Sequence, residues 1–434
     1  MQKTTWSGYI DKTFSKLTSD LECDVLVIGG GICGVLCAYR LVEEGMKVVL
    51  LEADKVCGKK SLKTTATITC IEDLMYNELI DKFGIKTAKL YLESNLFALN
   101  EYRKLAEKYD FDFEECSSFK YSTTYDGKIE NEVIAIKNLG YNCELIDKID
   151  FPITIAKALE FENQGQMNPL KLVNQLIEKL VIYEDSKVIK IKENIAYLED
   201  NKVKFKNVII ATGYPFLKIK GLYFLKMYQK KSHVVEVKSV KKTVGNGVGI
   251  KDDDFYYRTY KESVLIGSND KRTGYDSCGF DNINDLIVRK YNVRNIKNRW
   301  MNIDAITLDG MPYIGKYTCY DDNAYVATGF NMWGMTKSML ASDILCDLIM
   351  KRDNQFAELF SPQRKMPFKP LLKNIGFAVK EMVKFKTKRC KHLGCPLYFN
   401  ELDNTYECRC HGSKYDIDGS IIETPTQHKI NPKK

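Results

Sequence analysis

The chain has 434 residues, 44% of them hydrophobic and 11% aromatic, and carries a formal charge of +8. That is enough for two or three domains, each with its own core, and it excludes a disordered or fibrous chain. No run approaches the length of a membrane span and Met1 to Glu22 has no signal-peptide core, so a cytoplasmic protein is expected.

Asp24 to Ile28 has the length of a buried strand, and Gly29-Gly-Gly31-Ile-Cys-Gly34 follows at once, matching G-x-G-x-x-G. Cys33 to Glu44 reads as a helix and Lys47 to Leu51 as a second strand that ends in Glu52. A unit of this kind binds a dinucleotide. Gly29 serves the turn, Gly31 the approach of a pyrophosphate, Gly34 the helix packing and Glu52 a ribose hydroxyl.

Cys57 to Thr67 is a hydroxyl-rich loop in which Thr64 and Thr65 face the same cofactor. Thr87 to Tyr109 has a core-packing stripe on a long helix. Phe111 to Ile155 has the turns and aromatics of a substrate-facing region. Asn168-Pro169 starts a helix over Leu170 to Leu180, a strand around Lys187 to Ile191 follows, and Val203 to Ile210 ends in Ala211-Thr212-Gly213. His233 to Val237, Asp254 to Tyr260 and Val264 to Ile266 have antiparallel-strand character and are expected to cover the cofactor. Asp309 to Gly315 then leads into a strand from Tyr325, a loop at Gly329, and a helix opening at Gly334-Met335-Thr336 whose amino terminus favours negative charge.

All the excess charge lies beyond Lys351, and Arg364 to Lys391 has ten basic residues against one acid, Glu381. No aromatic-rich basic motif accompanies the run, so no nucleic acid is expected. Leu371 to Lys386 reads as a basic amphipathic helix. A membrane surface is one use for it, and docking on the dinucleotide domain is the expected one. Four of the 14 cysteines and two of the four histidines fall in Cys390 to His411, in the pattern C-x-H, 15 residues, C-x-x-H. Two thiolates and two imidazoles in that spacing suit a mixed-ligand 2Fe-2S centre, with Cys390, His392, Cys408 and His411 as ligands. A structural zinc site is the competing reading.

The segments Val25 to Gly34 with Glu52, Ile209 to Pro215, Asp309 to Gly315 and Gly329 to Thr336 resemble, in order, the D-amino-acid-oxidase-like family of FAD-dependent oxidoreductases. The resemblance implies non-covalent FAD, with Gly29, Gly31 and Gly34 at the pyrophosphate, Glu52 at the ribose, Val188 at the adenine, and Gly334, Met335 and Thr336 at the flavin's pyrimidine edge. It places Ala211, Thr212, Gly213, Asp309 and Gly329 among the cofactor-binding residues. Arg258, Tyr260, Lys271 and Arg272 are weak candidates for holding a substrate carboxylate.

Cys390 to Tyr415 resembles the Rieske ferredoxin domain. The resemblance implies a disulfide between Cys395 and Cys410, and hydroxyl hydrogen bonds to the cluster from Ser413 and Tyr415, which a zinc site would leave without a purpose. The implied architecture is α/β, α+β overall. Residues 1–80, 156–225 and 300–350 form a Rossmann-like FAD domain, 81–155 and 226–299 an antiparallel-sheet substrate domain, 351–388 a basic linker and 389–434 a small all-β Rieske domain. The implied activity is dehydrogenation of a small amine or amino-acid-like metabolite. Electrons then pass from flavin to cluster and on to an acidic carrier, a ferredoxin or flavodoxin docked near Lys384, Lys386 and Lys388, or to a quinone. The rivals are an electron-transfer reductase without a small substrate and a redox sensor.

Overall fold

The computed structural model describes residues 3–217, 220–238, 244–252, 254–275, 279–290, 296–384, 388–401 and 404–431. Lys386 lies outside them. Its first layer is an eight-stranded sheet ordered Tyr313–Lys316, Ala324–Thr328, Lys202–Gly213, Leu21–Ile28, Val48–Leu51, Val181–Tyr183, with a short hairpin at its flank. The central strands are parallel, which requires apolar side chains on both faces. Val25, Leu26, Val27 and Leu50 are accordingly buried. The helices Ile32–Glu43 and Gly334–Ile349 pack together on one side of this sheet.

A nine-stranded, mostly antiparallel sheet forms the second layer, from Ile296–Thr307 through Met227–Lys238 and Ser263–Arg272 to Lys157–Gln166 and Thr67–Ile68. Lys157–Gln166 pairs here with Glu114–Ser122, although residues from 156 onward were expected in the nucleotide-binding part. Alternation along Met227–Lys238 decides its neighbours: Val234 faces the main core, while Val235 and Val237 face a separate cluster around Ile283 and Ile287.

The third layer is a four-stranded antiparallel sheet, Leu397–Asn400, Thr405–Cys408, Lys414–Asp416 and Ile421–Glu423. Its small core is made of Cys390, Cys395, Leu397, Cys408, Cys410, Tyr415 and Ile430. The helix Phe368–Met382 lies against this module and the turn Tyr223–Lys226, through Ala378 and the bond from Asn374 Nδ2 to the Leu225 carbonyl. The helix therefore bridges the cysteine-rich module and the end of residues 156–225, the part expected in the dinucleotide domain. Among the described residues, no helix is long and apolar enough to cross a membrane.

Candidate cofactor sites

The glycine loop between Leu21–Ile28 and Ile32–Glu43 is shaped by two contacts that tolerate no side chain. A Cβ on Gly34 would lie 1.9 Å from the Gly29 carbonyl oxygen, and one on Gly29, whose φ is +112°, 2.6 Å from the Ala211 oxygen. Gly31 is different: a Cβ there would meet only Ser61 Oγ, at 3.3 Å. Its bareness serves something other than the protein's own packing, which fits a pyrophosphate lying on the helix amino terminus. Glu52 closes the loop, accepting from the Gly30 amide at 2.6 Å and the Asp54 amide at 2.9 Å. Burial raises its carboxyl above the usual range, and those two amides pull the other way.

A cavity of about 420 Å³ opens on this loop. Gly29, Gly31, Glu52, Thr64, Val188, Ala211, Thr212, Gly213, Gly329, Gly334 and Met335 line it, and so gather three of the four segments of the expected dinucleotide site, without Asp309 to Gly315. Gly34, Thr65, Asp309 and Thr336 are not in its wall. Thr65 gives its carbonyl to Arg258, Asp309 is clamped by Arg364 at 2.7 and 2.9 Å, and buried Thr336 bonds the Thr69 backbone at 3.3 Å.

None of the four expected carboxylate holders lines the cavity either, and each has a physical reason. Arg258 is fully buried with its guanidinium on the Thr65 and Ala66 carbonyls, and burial lowers it to about 10. Tyr260 donates to Asp112 at 2.8 Å and meets Trp6 edge-on. Lys271 sits opposite Lys231 in the strand pair. Arg272 bonds the carbonyls of Arg409 at 2.9 Å and Cys410 at 2.7 Å, which makes it a support of the cysteine-rich loop.

The sequence reading missed several wall residues: Ser61, Lys59, Lys60, Asn302 and Asp304. Asp304 accepts from Asn302 Nδ2 at 2.8 Å, and burial raises its carboxyl despite the nearby Lys60. Also missed was the far wall. Ile421, Glu423, Thr424, Thr426 and Gln427, all from the carboxy-terminal module, line the same cavity.

That module is held tightly. Gln229 Nε2 donates to the His411 carbonyl at 2.8 Å and the Thr424 carbonyl at 2.7 Å. Gly412, with φ of +82°, lies so near Gln229 that a Cβ would fall 2.6 Å from it. Glu407 forms buried ion pairs with Lys231 at 3.0 Å and Lys414 at 3.2 Å. Within the module the His392 and His411 rings stand 5.0 Å apart and nearly perpendicular. Cys390, Cys408 and both histidines are buried. His411 Nδ1 is buried without a hydrogen-bond partner among the described residues, as a nitrogen reserved for a metal would be. Burial also pushes this imidazole well below its usual range, so it is the neutral donor form that iron takes.

Tyr415 holds its hydroxyl 3.4 Å from Cys390 Sγ, and Ser413 is fully buried. Cys395, Cys408 and Cys410 bring their sulfurs within 4.8 Å of one another. Cys395 and Cys410, the pair expected to form a disulfide, are both buried in this group.

Residues 24–348 match the model of the FAD dependent oxidoreductase family (DAO), and residues 377–433 match that of the Rieske [2Fe-2S] domain. YhfW of Bacillus subtilis (strain 168), which bears the name of a Rieske 2Fe-2S iron-sulfur protein, is 29% identical over 98% of this chain and 96% of its own. The gamma-glutamylputrescine oxidoreductase of Escherichia coli (strain K12) is 24% identical, covering 80% of this chain and 88% of its own. The crystal structure of glycine oxidase from Geobacillus kaustophilus superposes with a TM-score of 0.68 at 17% identity, over 80% of this chain and all of that one. FAD and a 2Fe-2S cluster are the cofactors these matches bring. The chain belongs to the family of FAD dependent oxidoreductases and ends in a Rieske [2Fe-2S] domain.

Proposed function

We propose that the chain is a dehydrogenase of a small amine or amino-acid-like metabolite whose electrons leave through the Rieske cluster to a carrier, an acidic protein or a quinone. The observation that carries this reading is the shared cavity: one wall holds the Gly29–Gly34 loop and the other holds Ile421 to Gln427 of the cluster domain. Bound FAD accepts an electron pair from substrate, and a 2Fe-2S cluster carries electrons singly.

The chain's own residues supply binding, orientation and proton handling. Gly31 and the amino terminus of Ile32–Glu43 receive the pyrophosphate, and Lys59 and Lys60 add positive charge in the same wall. Glu52 is fixed by two amides at the ribose position. Trp300 and Met301 stand where some relatives attach flavin through a cysteine, which supports non-covalent binding. Asp304 is the carboxylate placed to take a proton, because burial raises its affinity for one. The named activities of the E. coli and Geobacillus proteins support an amine or amino acid as substrate. Among the described residues, eight buried or half-buried free thiols outside the cluster domain fit a cytoplasmic location.

The test uses anaerobically purified protein with flavin and iron counted, mixed with amines and amino acids and frozen for EPR. The expected result is flavin bleaching followed by the signal of a reduced Rieske cluster, with bleaching kept and the signal lost in His411→Ala. Bleaching that leaves the wild-type cluster oxidised overturns the electron route. A flavin that no amine or amino acid bleaches overturns the substrate class.

A further inference from the structure

The helix Phe368–Met382 packs inward through half-buried Leu371, Phe377 and Ala378 together with two polar residues. Asn374 and Glu381 are its buried residues, Asn374 bonding Leu225 and Arg272, and Glu381 bonding Tyr398 at 2.6 Å. The outward face is apolar: Phe368, Leu372, Val379 and Val383 are 70, 50, 54 and 67% exposed. Their spacing of four, seven and four residues puts them in one stripe along the helix. Lys369, Lys373 and Lys380, all exposed, border that stripe on one flank, and Lys365 precedes it. Glu381, the sole acid between Arg364 and Lys391, is buried, so nothing on the surface of the helix offsets the lysines.

We propose that this face docks the protein on an anionic phospholipid bilayer. An apolar stripe with a lysine border matches acyl chains beside anionic headgroups. A second copy is disfavoured, because a two-fold contact would set one lysine band near its duplicate. Arg272 Nη2 bridges Asn374 Oδ1 of the helix, at 3.1 Å, and the Cys410 carbonyl of the cluster loop, at 2.7 Å. The docked face therefore sets the cluster domain against the bilayer, within reach of an acceptor dissolved in lipid. The inference goes beyond the dehydrogenase reading and is tested without substrate.

Holoprotein is sedimented with vesicles of phosphatidylcholine alone and of phosphatidylcholine mixed with phosphatidylglycerol. Binding to the mixed vesicles at low salt, and none to phosphatidylcholine, is expected. Lys369→Gln, Lys373→Gln and Lys380→Gln together lower it about a hundredfold, at about fivefold per lysine. Phe368→Ser, Val379→Ser and Val383→Ser together abolish binding while flavin and iron contents stay unchanged, since these side chains are exposed. Wild type that ignores anionic vesicles, or an apolar-face variant that binds as wild type does, overturns the proposal. So does a concentration-dependent dimer lost in the same variant, or selective binding of an acidic ferredoxin through these residues without vesicle binding.

Discussion

Asp304 is the residue to which the proposed dehydrogenase reading assigns the proton. It shares the wall with Lys60 and Asn302, and its carboxyl is raised by burial first, with Lys60 opposing. A carboxylate that gains basicity this way works better as pH rises through its own pKa. Asp304→Asn is expected to slow flavin reduction by substrate about a hundredfold and to remove the acidic limb of its pH profile, both read by stopped-flow absorbance. An unchanged profile assigns the proton to another group. Nothing local marks Asp304 in the sequence, because it is one alternate position on a twelve-residue strand. The expected ligands Cys390, His392, Cys408 and His411 stand out in the sequence for the opposite reason: each expected pair sits within four consecutive residues, a spacing that Rieske chemistry dictates.

Among the elements, the strand Thr405–Cys408 ties the cluster module to the rest. Burial alone would raise the Glu407 carboxyl, but Lys414 and Lys231 overcome it and bring it down to about 2. A carboxyl depressed in the folded state contributes stability above its ordinary value of 4.5, and loses it as pH falls from there toward 2. Hydrogen exchange at Thr405–Cys408 is therefore expected to speed up on acidification through that window. Glu407→Gln leaves two lysines buried without a carboxylate, and should cost about 3–5 kcal/mol at neutral pH while flattening the acid dependence. Lys231 and Glu407 lie 176 positions apart, so no spacing rule exposes their pairing. The amphipathic helix teaches the same lesson. Its periodicity was readable from Leu371 to Lys386, but periodicity distinguishes faces without saying which one a neighbour takes, and here the neighbour takes Asn374, Phe377, Ala378 and Glu381 and leaves the stripe Phe368, Leu372, Val379 and Val383 outside.

At the scale of the whole molecule, both cofactor modules were legible because each rests on a local signature, the glycine loop and the C-x-H with C-x-x-H pair. Their joint was not, because it is made by single residues scattered over the chain: Lys60, Gln229, Arg272 and Glu407. The joint has a consequence for how the protein comes to be. Ile421, Glu423, Thr424, Thr426 and Gln427 line the cavity, and the sheet that includes Ile421–Glu423 also holds the strand Thr405–Cys408, at whose end the expected iron ligands Cys408 and His411 lie. Filling one site is therefore tied to folding the other. The expected order is flavin first and iron second, with the cluster domain held firmly against the cavity only once iron is bound. Protein made under iron starvation is expected to release its flavin at least tenfold faster on dilution than iron-replete protein, measured by recovery of flavin fluorescence. Equal release rates would mean that the two cofactors are acquired independently. Otherwise maturation is a sequence, and a cell short of iron accumulates a chain that holds its flavin more loosely.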